Sequence, residues 1–163
     1  MEASDIVVTR DLEAPLALVR RAWSEDSYVK RWWGPDGFIS PYARMDVREG
    51  GSSLVSMRDP EGRDHHNLWT YERIEPERRI EFVSSFADAD GNRIPPAEAG
   101  LPPFLPQNVR HIVTLEPLGP ARTRVTVVEQ GYEPGPVRDM SESGQRRVLD
   151  RMAALPAAES DAG

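Results

Sequence analysis

The chain has 163 residues and a formal net charge of −7, with 27 acidic residues against 20 Lys and Arg; a domain of this size removes about 70% of its unfolded surface from water, so it needs no staples. It has no cysteine, which excludes a disulfide framework and a thiolate metal site, and its acidic surface repels phosphate backbones, which argues against nucleic acid as a partner. No stretch approaches the ~20 apolar residues of a membrane span, and Met1-Glu2-Ala3-Ser4-Asp5 opens no apolar run, which argues against a secretory signal and makes the cytoplasm the expected location.

Ile6–Leu12 is rich in β-branched residues and reads as an opening strand. Pro15 suits a first helical position, and Leu16, Val19, Ala22 and Trp23 follow at helical spacing. Ser24 is placed to cap a second short helix in which Tyr28 and Trp32 lie one turn apart, and Gly34-Pro35 stops it. The period then changes. Met45–Arg48, Ser53–Arg58, His66–Ile74, Arg79–Phe86, Val109–Glu116 and Thr123–Gln130 read as six strands with short turn sequences between most of them, the pattern of an antiparallel meander. One connection is long: Asp88–Pro106 holds Asp90-Gly91-Asn92 and five prolines, and reads as an irregular loop over the sheet. Helical spacing returns at Ser141. Val148, Leu149, Met152 and Leu155 form an apolar stripe, with Arg146, Arg147, Asp150 and Arg151 assigned to the solvent side. Pro156 ends the helix, so residues 1–156 form one domain and 157–163 a disordered tail.

Alternation along the strands assigns inward faces. Val55 and Met57 share one, Ile80, Phe82, Ser84 and Phe86 another, Val109, His111, Val113 and Leu115 a third, and Val125 and Val127 a fourth. Trp69 and Tyr71 share a face, but Leu68 competes for the inward position.

The order of elements resembles the START-like helix-grip architecture of the SRPBCC superfamily, shared with birch-pollen allergen and polyketide cyclases. Several segments narrow the likeness. Glu13-Ala14-Pro15 with Ala22-Trp23, Lys30-Arg31-Trp32-Trp33-Gly34-Pro35 with Gly37-Phe38, and Asp46-Val47-Arg48-Glu49-Gly50-Gly51 are similar, in order and spacing, to motifs of the activator of Hsp-90 ATPase homologue-like group. Met57-Arg58-Asp59-Pro60-Glu61-Gly62 and the run from Tyr71 to Ile80 extend the match. The resemblance covers about residues 5 to 155 and implies an α+β fold: a seven-stranded antiparallel sheet around a long C-terminal helix, with two short helices after the first strand. It also implies a cavity between sheet and helix. Where relatives open the last helix with Gly-Trp, this chain has Gly144-Gln145, and the Gly131–Val137 segment is rich in helix breakers. Both features, with the Pro95–Pro106 loop, fall where the family's pocket opens.

The expected ligand-binding residues follow from the inward faces and the resemblance. They are Trp32, Trp33 and Phe38 at and after the second helix; Val55, Met57, Trp69 and Tyr71 on the first strands; Phe82, Phe86, Val109, His111 and Val113 on the next two; and Met140, Gln145, Leu149 and Met152 on the last helix, with the mouth expected near Trp33, the Pro95–Pro106 loop and Gln145. The leading reading is a binder of a hydrophobic or amphipathic small molecule, with no cofactor, acting as a monomer or homodimer. A second is an enzyme of the cyclase, aromatase or hydrolase type, with His111, Tyr71 and Glu129 as catalytic candidates. A third, implied by the family's name alone, is a co-chaperone-like protein interaction. His65-His66 is not expected to bind metal, because neighbouring strand residues point to opposite faces. Asp88, Asp90 and Asn92 around Gly91 read as a plain turn rather than a calcium loop.

Overall fold

Alternating apolar residues on strands and a 3.6-residue stripe on the last helix have one way to bury themselves together, and the chain takes it. The computed structural model describes residues 4–34 and 37–155. In chain order they form β1 (Ile6–Leu12), α1 (Leu16–Ser24), α2 (Asp26–Trp32), β2 (Ala43–Arg44), β3 (Ser52–Arg58), β4 (Asp64–Glu75), β5 (Arg79–Ala87), β6 (Asn108–Gly119), β7 (Arg122–Gln130) and α3 (Pro136–Ala153). The seven strands make one antiparallel sheet in the order β1-β7-β6-β5-β4-β3-β2. This is the helix-grip arrangement, with α3 packed on the sheet and α1 and α2 closing one end.

The register decides what lies under α3. Ile6 pairs with Glu129, Glu129 with His111, His111 with Phe82 and Phe82 with Tyr71, one row across five strands. A second row, Val8, Val127, Val113 and Ile80, runs beside it. Both rows are buried and belong to one core with Val19 and Trp23 of α1, Val29 and Trp32 of α2, and Val148, Leu149 and Met152 of α3. Trp69 and Tyr71 face this core, which resolves the competition with the half-buried Leu68.

Several local expectations are corrected. Ser24 does not cap α2: its Oγ donates back to the Arg20 carbonyl at 2.8 Å, and Glu25 holds the cap position. Pro15 is the residue before the first helical one rather than the first itself. Met45–Arg48 is not a strand, because the Met45 and Asp46 amides donate to the Asp26 carboxylate and the Ser53 hydroxyl instead of to a neighbouring strand; β2 is the two residues before it. The last helix starts at Pro136, more than a turn before Ser141. Gly135 at φ 145° supplies the left-handed step into it, and a proline in the first turn has no N–H to leave unpaired. Those apparent breakers are a start signal.

Arg151 is not a solvent-side residue. Its guanidinium donates to the carbonyls of Gly34 at 2.6 Å, Trp33 at 3.5 Å and Arg31 at 3.3 Å, acceptors at the C-terminal end of α2. The expected stop at Pro156 and the tail 157–163 lie outside the described residues, as does Pro35. Among the described residues no helix is long and apolar enough to cross a membrane.

Met140, expected on the pocket side of the last helix, is 74% exposed. It lies five residues before Gln145, which at about 100° per residue turns it about 140° away from the buried stripe. Leu149, by contrast, is fully buried. Leu149→Ala is therefore expected to lower stability by about 2–5 kcal/mol, and Met140→Ala by under ~0.5 kcal/mol. Urea melts of the two variants check this, and equal losses would mean that α3 is rotated from the orientation described.

Candidate functional site

The interior carries a ladder of rings supplied by five elements. Trp23 of α1 meets Trp32 of α2 at 4.7 Å between centroids, and Trp32 is stacked at 6.4 Å over Trp69 of β4. Trp69 stacks on Phe82 of β5 at 4.8 Å, and Phe82 on the imidazole of His111 at 4.8 Å with planes 10° apart. Trp33 stands edge-on to Trp69 at 5.1 Å. Strand alternation and register bring Trp69, Phe82 and His111 to one face, where offset ring contacts add to burial. The Trp32 indole N–H donates to the Ala22 carbonyl at 2.7 Å, which ties α2 to α1.

The ladder ends in a buried polar pair. His111 Nε2 lies 3.1 Å from Glu129 Oε1, and His111 Nδ1 lies 3.2 Å from the Val109 carbonyl oxygen. A carbonyl only accepts, so Nδ1 carries a hydrogen. Both ring nitrogens are thus engaged. The second carboxylate oxygen, Glu129 Oε2, is buried and has no hydrogen-bond partner. The indole nitrogens of Trp33 and Trp69 are buried without partners as well. Gln145 of α3 is 8% exposed and belongs to the buried stripe with Val148, Leu149 and Met152, so it is not the rim residue that its place in the sequence implied. Tyr71 differs from these groups: its hydroxyl is satisfied by Ser53 Oγ at 2.7 Å, and burial pushes its phenol well above the usual range.

Tyr132, which follows β7, links this interior to the surface. Its hydroxyl accepts from Ser141 Oγ of α3 at 2.9 Å. Burial and then the nearby charge of Glu129 push its phenol up to about 12. On its outer side Tyr132 lines a recess of about 420 Å³ together with Phe104, Pro106, Pro134, Pro136 and Val137. This recess lies between the long loop and the start of α3, where the resemblance put the pocket mouth. Neither it nor three other surface recesses has Phe82, Phe86, His111 or Val113 in its wall.

Of the expected ligand-binding residues, Trp32, Val55, Trp69, Tyr71, Phe82, Val113, Leu149 and Met152 are buried within the core, and Val109, His111 and Gln145 nearly so. Trp33, Phe38, Met57 and Phe86 are half-buried. Gly34, at φ 101°, packs where a Cβ would stand 3.3 Å from that of Phe38 and 3.6 Å from that of Met57, so only glycine suits the position. Met140 lies away from this group. Tyr132 is hard to single out from sequence because its segment is dominated by glycine and proline; its one signal is an aromatic residue three positions after Glu129. His65 bonds Asp59 through Nε2 at 3.0 Å. Among the described residues no three of His, Asp and Glu gather as metal ligands. The Asp88 carboxylate is occupied as a turn cap by the amides of Asp90 and Asn92.

A family profile described as "Activator of Hsp90 ATPase homolog 1-like protein" matches residues 13–157. The chain belongs to this family. Solved structures agree on the fold. A protein from Chromobacterium violaceum is 25% identical, with a TM-score of 0.73 over 94% of this chain and 97% of its own. One from Nitrosomonas europaea is 23% identical, with a TM-score of 0.77 over 99% of each chain. An AHSA1 protein from Silicibacter pomeroyi is 19% identical, with a TM-score of 0.74 over 95% of this chain and 99% of its own. No match was found among curated protein sequences.

The raised phenol of Tyr132 has a consequence for this family member. A group whose folded pKa lies above its unfolded value of 10 contributes stability that is complete below that pH and is lost as pH rises towards about 12. Tyr132→Phe is expected to flatten the decline of stability between these values. Urea midpoints measured from pH 8 to pH 12 read it, and an unchanged slope would mean that Tyr132 is solvated.

Proposed function

We propose that this member of the family binds an amphipathic small molecule between the concave sheet and α3, next to His111 and Glu129. The observation that carries this reading is Glu129 Oε2, a buried carboxylate oxygen with no partner at the end of a ladder of apolar rings. Leaving such an atom unpaired costs about 1–3 kcal/mol or more. A ligand that fills that position offsets the cost, and apolar walls with a few polar handles are what small-molecule sites are made of. The recess at Tyr132 and Phe104 is the route in, with Tyr132 as its inner wall.

The acid–base reading has less support. His111 spends one nitrogen on Val109 and the other on Glu129, which leaves neither free to take a proton from a substrate. Tyr71 is bound to Ser53 and held protonated by burial.

The test is uptake of a neutral, environment-sensitive dye such as Nile red. The folded protein is expected to enhance and blue-shift its emission, and unfolding in urea to abolish the effect. Gln145→Trp puts an indole into the buried stripe and is expected to weaken dye binding about 10-fold or more, whereas Met140→Trp on the exposed side leaves it within about twofold. If the wild-type protein takes up no apolar probe, the small-molecule reading fails and the protein-interaction reading moves ahead.

A further inference from the structure

The hydrogen bonds around His111 specify which kind of polar group the site accepts. With a hydrogen fixed on Nδ1 by the Val109 carbonyl, one proton remains for the 3.1 Å contact between Nε2 and Glu129 Oε1. It sits either on the imidazole, giving imidazolium against carboxylate, or on Oε1, giving neutral imidazole against carboxylic acid. In both arrangements the pair is electrically neutral overall, and Oε2 holds lone pairs and no hydrogen. Two arrangements would put a hydrogen on Oε2. One leaves a net positive charge in a buried setting, which desolvation opposes. The other sets the Nε2 lone pair against the lone pairs of Oε1. Oε2 is therefore an acceptor whichever way the proton is shared.

We infer that the ligand is a flat apolar molecule that donates a neutral O–H or N–H hydrogen bond to Glu129 Oε2, a phenol, an enol or an N–H heteroaromatic compound. This rests on the small-molecule reading above and names its ligand class. A neutral donor satisfies Oε2 without disturbing the charge balance of the pair. An ammonium group adds a buried positive charge, and a carboxylate brings lone pairs and a second negative charge towards an acceptor. The flat shape suits a wall built of ring faces, those of Trp69, Phe82 and His111, on which a planar ligand stacks. Tyr132, three residues on from Glu129, packs against the core on one side and lines the surface recess on the other, so a ligand that enters there has the shortest way to the carboxylate past this ring.

Three matched probes test this at pH 7 by equilibrium dialysis: 2-naphthol, which donates; 2-methoxynaphthalene, of similar shape but accepting only; and 2-naphthoate. Naphthol is expected to bind about 10-fold or more tightly than the ether, with naphthoate weakest. In Glu129→Leu the preference for naphthol over the ether is expected to shrink to within about twofold, while the ether still binds. Because Glu129→Leu strands His111, the double variant H111F/E129L, which replaces both partners by apolar groups, is measured beside it, and melting curves confirm that each is folded. Equal wild-type binding of naphthol and its ether would overturn the donor requirement and leave the small-molecule reading standing. A preference that survives in the double variant would also overturn it, since the donor's partner would lie elsewhere. Failure of all three probes to bind the wild-type protein would remove both.

Discussion

A carboxylate buried under a helix is the constraint around which the interior is arranged. Glu129 stands second in a row that runs from Ile6 through Glu129, His111 and Phe82 to Tyr71. An isolated charge there would be costly, so the imidazole beside it is a requirement as much as an ornament of the sheet. The imidazole in turn is held by its own strand through the Val109 carbonyl and by the face of Phe82. Each member of the row thus fixes the next, and the apolar row Val8, Val127, Val113 and Ile80 beside it supplies the water exclusion that makes those fixings strong.

The helix that covers this row is secured at both ends by arginines. At its start, Arg138 donates to the Ser4 and Asp5 carbonyls at 3.1 and 3.0 Å and pairs with Glu142 one turn on, tying α3 to the beginning of β1. Towards its end, Arg151 donates to the carbonyls at the C-terminal end of α2. Between them Val148, Leu149 and Met152 fill the space over the sheet. Between the two arginines, Ser141 donates a hydrogen bond to the Tyr132 hydroxyl at the inner wall of the recess. The flanking loop has its own restraints: Ile94 N–H returns to the Phe86 carbonyl, and Arg93 reaches Thr70. These hold its first part on the sheet, while Phe104 further along is 71% exposed.

Much of this architecture was legible in the sequence because it depends on period. A two-residue alternation and a 3.6-residue stripe are local properties, and they put Phe82, His111, Val113, Leu149 and Met152 on inward faces before any packing is known. The bounds of β1 follow from its β-branched run for the same reason. What failed locally failed for identifiable causes. Ser24 had a backbone carbonyl one turn back that competed for its hydroxyl. Met45–Arg48 lost its strand pairing to side chains 19 and 7 residues away from its first amides.

Composition, strand alternation, turn residues and the ordered motifs between Glu13 and Ile80 were enough to determine the fold class, the helix-grip family and the buried faces, since each is written in neighbouring residues. Tertiary structure alone decided that Glu129 and His111 form a pair, that one carboxylate oxygen is left without a donor, that Arg151 serves the end of a different helix, and that Gln145 lies inside rather than at a rim. These depend on which strand neighbours which, in what register, and on how far α3 is rotated about its axis. A one-residue slip of β7 would turn Glu129 to the opposite face of the sheet while leaving every local pattern intact.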